Sequence, residues 1–396
     1  MTASALSSVP ATAAAAPWTQ LVRLSAAQLV AWGALYYTFA VVQVPMMRDL
    51  GWSPTLLAGA FSLTLLTYAL AGPLLGPWFD RRGPWGIMVA GAAVGAALMV
   101  GWAWVNDPLV YVALMGVLGL AMAACLYEPA FYLVASWFPS RRAKALTVLT
   151  LFGAMASPLF MPLTERLCLW FGWRDALLIL AASVALIVVP LLASLPRRVA
   201  APITSISLDP STARSVLREA RFWWLQIGFI LVSVTTIAVP VHLVPYLVDR
   251  GETLAFAATC VGSIALVGVA GRLVFGMLGD GPWLIVLTVV VFALMTVAVI
   301  LLLTIPGKAG AIVFTVSFGL GYGALWPTRA ALVARAWSGP SLGTIAGMFA
   351  FGPNVAKATA PLLAAVIALS IGMDGAFAVL AALPALGAVL IWQGRE

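Results

Sequence analysis

Gly76-Pro77-Trp78-Phe79-Asp80-Arg81-Arg82-Gly83 is a short charged segment between two long apolar runs. Two hundred residues later it returns in reduced form as Gly276-Met277-Leu278-Gly279-Asp280-Gly281. Both copies keep Gly-x-x-x-Asp, and both close an apolar run. The same offset aligns Pro45 with Pro245, Asp49 with Asp249 and Trp137 with Trp337. Shared Gly, Ala and Leu in apolar helices are weak evidence. Pro, Asp and Trp pairs on one register, almost without gaps, identify an internal repeat.

Composition says what is repeated. Of 396 residues, 63% are hydrophobic and 9% charged, against about 25% charged in an ordinary soluble domain. Such a chain cannot cover its surface in water. Apolar runs of about 20 residues are long enough to cross a bilayer as helices, and helices satisfy their own backbone where lipid offers no partner. The alternating polarity of a membrane barrel is absent. The fold class expected is an all-α membrane protein with twelve transmembrane helices in two six-helix bundles. Spans are expected at about 24–47, 54–77, 85–105, 109–136, 144–164 and 174–195, then about 222–247, 255–278, 283–305, 310–336, 343–369 and 374–393. Residues 1–20, rich in Ala, Ser and Thr, read as a disordered cytoplasmic tail. Residues 21–196 form the first bundle, 197–221 a polar cytoplasmic linker and 222–396 the second bundle.

Twelve spans place both termini on one side. Assigning that side to the cytoplasm puts thirteen basic residues inside, among them Arg81, Arg82, Arg141, Arg142, Lys144, Arg197 and Arg198. Five lie outside: Arg48, Arg166, Arg174, Arg250 and Lys308. This asymmetry orients the chain in a cell inner membrane. It also accounts for the net charge of +8 without nucleic acid. Cys125, Cys168 and Cys260 show no metal-ligand spacing. No nucleophile–base pair, metal motif or phosphate loop is present, so neither an enzyme nor a cofactor or metal site is expected.

Three cations remain inside predicted spans: Arg272, Arg329 and Lys357. Glu128 is the one acid in a comparable position. A charge at membrane depth costs about 2.5–3.5 kcal/mol on insertion scales, so it faces a wet cavity, a partner or a substrate. Two cations on one cavity attract an anion, and Arg grips a carboxylate through two parallel hydrogen bonds. The structural alternative is that one of them pairs with Glu128 or a backbone carbonyl. Glu128 and Arg329 stand almost opposite in the repeat. They can serve as a gate, as a proton carrier with its neighbour, or as a static pair that neutralises two buried charges. Tyr322, Trp326 and Arg329 share one face of their helix, as do Tyr36 with Gln43 and His242 with Tyr246.

Six helices, a basic linker and six related helices, with Gly76-x-x-x-Asp80-Arg81-x-Gly83 between helices 2 and 3, resemble the major facilitator superfamily. A narrower resemblance comes from Ala270-Gly271-Arg272-Leu273-Val274-Phe275-Gly276 and Asn354-Val355-Ala356-Lys357-Ala358-Thr359-Ala360. These are similar to the helix-8 arginine motif of monocarboxylate transporters and oxalate/formate exchangers and to the helix-11 lysine of the exchangers. Leu35-Tyr36-Tyr37-Thr38-Phe39 and the stretch from Trp137 to Leu146 resemble the same group. The resemblance implies two bundles rocking around a central site. It implies that Arg272 and Lys357 hold substrate carboxylates, and that the segment carrying Gly76, Asp80, Arg81 and Gly83, with Asp280 in the second copy, locks one conformation. Gly268 departs from the animal-type carriers, which have an acid there.

The expected function is secondary active transport of a small organic anion, a mono- or dicarboxylate, by proton symport or anion exchange. The residues expected at substrate are Arg272, Lys357, Tyr36, Tyr37, Gln43, His242, Tyr322, Trp326 and Asn354, with Glu128 and Arg329 in coupling or gating. The partners expected are the anion, protons and the lipid bilayer, with no nucleic acid and a monomeric chain. The competing expectation is an exporter of hydrophobic or drug-like molecules with the same fold.

Overall fold

The computed structural model describes residues 18–196, 215–337 and 341–395. Ten continuous helical stretches are long and apolar enough to cross a membrane. Two of them, Arg142–Ala193 and Leu342–Gln393, run for 52 residues each, ~78 Å if straight against a hydrocarbon core of about 30 Å. Each is broken in the middle by a glycine in a left-handed conformation, Gly172 at φ 83° and Gly372 at φ 76°, which side-chain-bearing residues rarely adopt. Splitting both gives twelve spans among the described residues.

In chain order these are α1 Trp18–Leu50, α2 Pro54–Arg82, α3 Trp85–Ala103, α4 Pro108–Trp137, α5 142–171 and α6 173–193. The second set is α7 Ala220–Asp249, α8 Leu254–Leu278, α9 Leu284–Thr304, α10 Gly307–Ala336, α11 342–371 and α12 373–393. The helices overrun the bilayer-length segments expected from hydropathy. α1 starts at Trp18, and α5 continues past Glu165 and Arg166, because backbone pairing does not stop where the apolar run stops. The expected tail at 1–20 and linker at 197–221 fall mainly outside the described residues.

The repeat is visible in the caps and turns. Ser53 opens α2 by accepting from the Leu56 N–H, and Thr253 opens α8 by accepting from the Phe256 N–H; such caps satisfy donors that the first turn leaves free. Gly51 and Gly251, at φ 67° and 87°, make the turns just before. α2 packs on α4 and α8 on α10. An ion pair closes the same end of each bundle, with Arg174 of one and Asp374 of the other in repeat positions. Asp49 accepts from Trp173 and Arg174 in the first bundle, and Asp374 pairs with Arg250 in the second.

The bundles meet along α2–α11 and α5–α8. A Cβ built on Gly76 would lie 2.4 Å from the Gly343 carbonyl oxygen, so α2 and α11 touch backbone to backbone. At the same end, the Asp80 carboxylate accepts from the Gly343 N–H at 2.6 Å, the Thr344 N–H at 2.7 Å and the Thr344 hydroxyl at 2.6 Å. Its repeat mate Asp280 accepts from the Ala143 N–H at 2.7 Å. Each carboxylate thus caps the first turn of a helix in the opposite bundle, where free N–H groups and the helix dipole favour negative charge. The ion pairs described at the other end, Asp49–Arg174 and Arg250–Asp374, stay within one bundle. The molecule is therefore clamped at the end carrying the α2–α3 turn.

Candidate functional site

Two departures from regular helix shape the space between the bundles. The first is in α1, where Trp32–Tyr37 forms a π turn. Wide turns of this kind are rare and concentrate at functional sites. They reduce the angle between neighbouring side chains, and Tyr36 and Tyr37 both reach the cavity. The second is in α4. Pro129 has no N–H to give the Cys125 carbonyl, and the helix breaks at Leu126, with φ −85° and ψ −142°. The freed carbonyl is taken by the Gln28 side-chain N–H of α1 at 2.7 Å. The break turns Tyr127 and Glu128 toward the centre. The span expected over 109–136 is present as α4, interrupted at Leu126.

The resulting cavity encloses about 1100 Å³ of empty space, counting its open mouth. It collects Arg272 from α8, Tyr322, Trp326 and Arg329 from α10, Asn354 and Lys357 from α11, Tyr36 and Tyr37 from α1 and Glu128 from α4. Nine of the residues named from sequence therefore meet in one place.

Arg272 is 6% exposed, and its Nε and Nη1 have no hydrogen-bond partner among the described residues. A Cβ built on Gly268, one turn earlier, would sit 3.1 Å from Nη1. The guanidinium thus lies over the bare backbone of Gly268, and no acid stands there. Tyr37, Tyr127 and Tyr322 lie within its electrostatic reach. Lys357 sits 3.7 Å over the Trp326 ring and donates to the Asn354 side-chain oxygen at 2.9 Å. That neutral acceptor and the ring face hold its direction without cancelling its charge.

Arg329 donates from Nη2 to Glu128 Oε1 at 2.6 Å. Both side chains are largely buried, at 6% and 13% exposure. The alternative that Glu128 neutralises Arg272 or Lys357 is not what the structure holds; its ion-pair partner is Arg329. Toward the clamped end a second, smaller cavity of about 370 Å³ begins. Glu128, Phe131 and Arg329 line both cavities, so the pair forms part of the partition between them.

Gln43 and His242 do not join the site. The Gln43 amide donates to the Ala40 carbonyl, and His242 Nε2 lies 3.1 Å from the Pro361 carbonyl oxygen within its own bundle. Both sit further along α1 and α7 than the cavity reaches. Of the segment expected to lock one conformation, Gly76, Asp80 and Asp280 make the inter-bundle contacts described above. Gly83 turns the chain at φ 71°, and Arg81 is exposed. Sequence reasoning missed Trp32, Tyr68, Tyr127 and Phe131. Trp32 lies one turn before Tyr36, and Tyr127 and Phe131 flank Glu128-Pro129 at a spacing of four, so the aromatic pattern was there to be read.

Comparison with known proteins agrees with this architecture. The family description "Major Facilitator Superfamily" matches residues 24–328. The human monocarboxylate transporter 11 is 28% identical over 279 residues, covering 59% of this chain and 58% of that protein. The chain thus spans little more than half of that relative. YcxA, an uncharacterised MFS-type transporter of Bacillus subtilis (strain 168), is 24% identical over 335 residues and 81% of each chain. Among solved structures, the fucose:proton symporter FucP of E. coli in its outward conformation superposes with a TM-score of 0.76 at 14% identity, over 95% of this chain and 98% of that one. The human organic anion transporter MFSD10 (TETRAN) superposes with a TM-score of 0.76 at 17% identity, over 95% and 99%. With its twelve helices, its two clamped bundles and a family match over most of its length, this chain belongs to the Major Facilitator Superfamily.

Proposed function

We propose that the chain is a secondary active transporter that moves a small organic anion across the cytoplasmic membrane by alternating access. The observation that carries this reading is Arg272, a buried guanidinium on a spanning helix, facing the inter-bundle cavity with two nitrogens unpaired by protein. A buried donor without a partner is costly, and a carboxylate bridging it would supply two charge-assisted hydrogen bonds at once. Lys357 is the second pole. The names of the relatives, a monocarboxylate transporter and an organic anion transporter, point to the same class of cargo.

More of the basic residues lie on the clamped side than on the opposite one, so in this reading that side is the cytoplasmic one and both termini share it. The clamped conformation is then outward-facing. Glu128–Arg329 is the inner gate of this reading. A substrate carboxylate competes for Arg329, weakens the pair and opens the way to the smaller cavity. Movement is by proton symport or anion exchange, with Glu128 as the group that takes the proton in the first case. The aromatic lining favours one second reading, export of uncharged apolar compounds, and the cations distinguish the two.

Uptake of labelled carboxylates into proteoliposomes tests the proposal. Arg272→Ala and Lys357→Ala are each expected to lower uptake and counterflow by about a hundredfold or more, as loss of a buried charge-pair partner implies, while the protein stays monodisperse. Normal carboxylate transport by both variants would overturn the anion site. Transport of neutral apolar compounds alone would establish the second reading.

A further inference from the structure

The two walls of the cavity differ in kind. The first-bundle wall is a run of rings. Trp32 lies 5.2 Å from Tyr36 and 4.7 Å from Tyr127, Tyr36 lies 5.0 Å from Tyr37, and Tyr127 lies 5.0 Å from Phe131, all between centroids. The described lining on that side holds no cation, and its single acid, Glu128, is already paired with Arg329. The facing wall belongs to the second bundle and carries the basic side chains, Arg272 and Lys357 with Arg329 beside them.

We infer that the cargo is an amphiphilic monocarboxylate with a flat aromatic or unsaturated body, its carboxylate on the basic wall at Arg272 and its body across the cavity against the rings around Trp32; this rests on the anion-transport reading above. A second carboxylate at the far end of that body would face the first-bundle wall, whose described lining offers no cation. An aromatic amino acid brings an ammonium group, which needs an acceptor that Glu128, held by Arg329, does not offer. Its ammonium would also sit beside two cations. Ring faces and edges carry opposite partial charge, so an aryl group gains offset-stacked and edge contacts that a methyl group cannot make. The rings continue from Tyr36 through Trp32 and Tyr127 to Phe131, and a two-carbon acid would leave most of that wall uncovered.

Calorimetric titration of the purified full-length protein in nanodiscs, with acetate, oxalate, phenylacetate, phenylalanine and 2-phenylethanol, decides the matter. Phenylacetate is expected to bind at least about tenfold more tightly than acetate or oxalate. Phenylalanine and 2-phenylethanol are expected not to compete with it. Trp32→Leu should narrow the phenylacetate-to-acetate ratio by about three- to tenfold. If that variant fails to fold, the ranking on the wild-type protein decides alone. Acetate, oxalate or phenylalanine binding as tightly as phenylacetate would overturn the inference and leave the anion site standing. No Arg272-dependent binding of any carboxylate would overturn both.

Discussion

At the scale of single residues, the shape of the site depends on glycines placed behind working side chains. A Cβ built on Gly153 in α5 would fall 1.8 Å from the Tyr127 hydroxyl oxygen. The phenol therefore lies against a bare backbone, which lets the ring stand clear of the cavity centre. Gly153→Ala should push Tyr127 inward. The displaced atom is the far end of a side chain, so folding should suffer by no more than about 1–3 kcal/mol, the usual cost of overpacking. Substrate affinity should fall several-fold through lost space. Thermal unfolding measured beside binding of the transported anion checks both parts. Unchanged affinity in a folded variant would show that Tyr127 yields elsewhere. Gly268 acts similarly for Arg272. With no side chain there, nothing at that position of α8 ties the guanidinium to its own helix.

At the scale of elements, α4 presents Tyr127 and Glu128 to the cavity because it is broken. Pro129 removes one backbone donor, Leu126 leaves helical geometry, and Gln28 takes the orphaned carbonyl from across the bundle. Gln28 is fully buried, so nothing else replaces its amide. Gln28→Leu should cost about 1–3 kcal/mol, the penalty of an unsatisfied buried carbonyl, and it should lower the midpoint of thermal unfolding. The same change should loosen the position of Glu128, raising the KM for substrate more than a surface substitution of equal thermal cost. Stability and KM equal to wild type would mean that the α4 break holds itself.

At the scale of the whole molecule, two carboxylates in repeat positions each cap a helix of the other bundle. They are not equal. Asp80 accepts three hydrogen bonds from α11, whereas Asp280 accepts one described bond from α5. Hydrogen bonds to a charged group contribute about 1.5–3 kcal/mol each, and every 1.4 kcal/mol is a tenfold change in population. Asp80→Asn should therefore shift the protein toward the opposite-facing state more than Asp280→Asn does. A cysteine introduced by Val333→Cys, on the lining of the smaller cavity, reports this in a background without the native cysteines. Its labelling from the clamped side should rise in both variants and more in Asp80→Asn. The reverse order would contradict the inventory of contacts.

The twelve spans, the two-fold repeat and the list of charges that must face the interior were determined by the sequence alone. Bilayer thickness sets span length, lipid forbids open backbone, and a charge in hydrocarbon is too costly to leave without a role. Those constraints act locally, so they can be read residue by residue; Arg272 and Lys357 were legible in this way, and Asp80 and Asp280 through the repeat. Reach along a helix was not. Gln43 and His242 have suitable chemistry and lie beyond the cavity, because depth in the membrane follows from how the bundles tilt and meet. Only the tertiary structure decided that Glu128 belongs to Arg329, that Gln28 answers Pro129, and that the cations of the lining all stand on the second-bundle wall. The first two are meetings of segments about 100 to 200 residues apart, and such meetings follow from packing between helices, which no local pattern encodes.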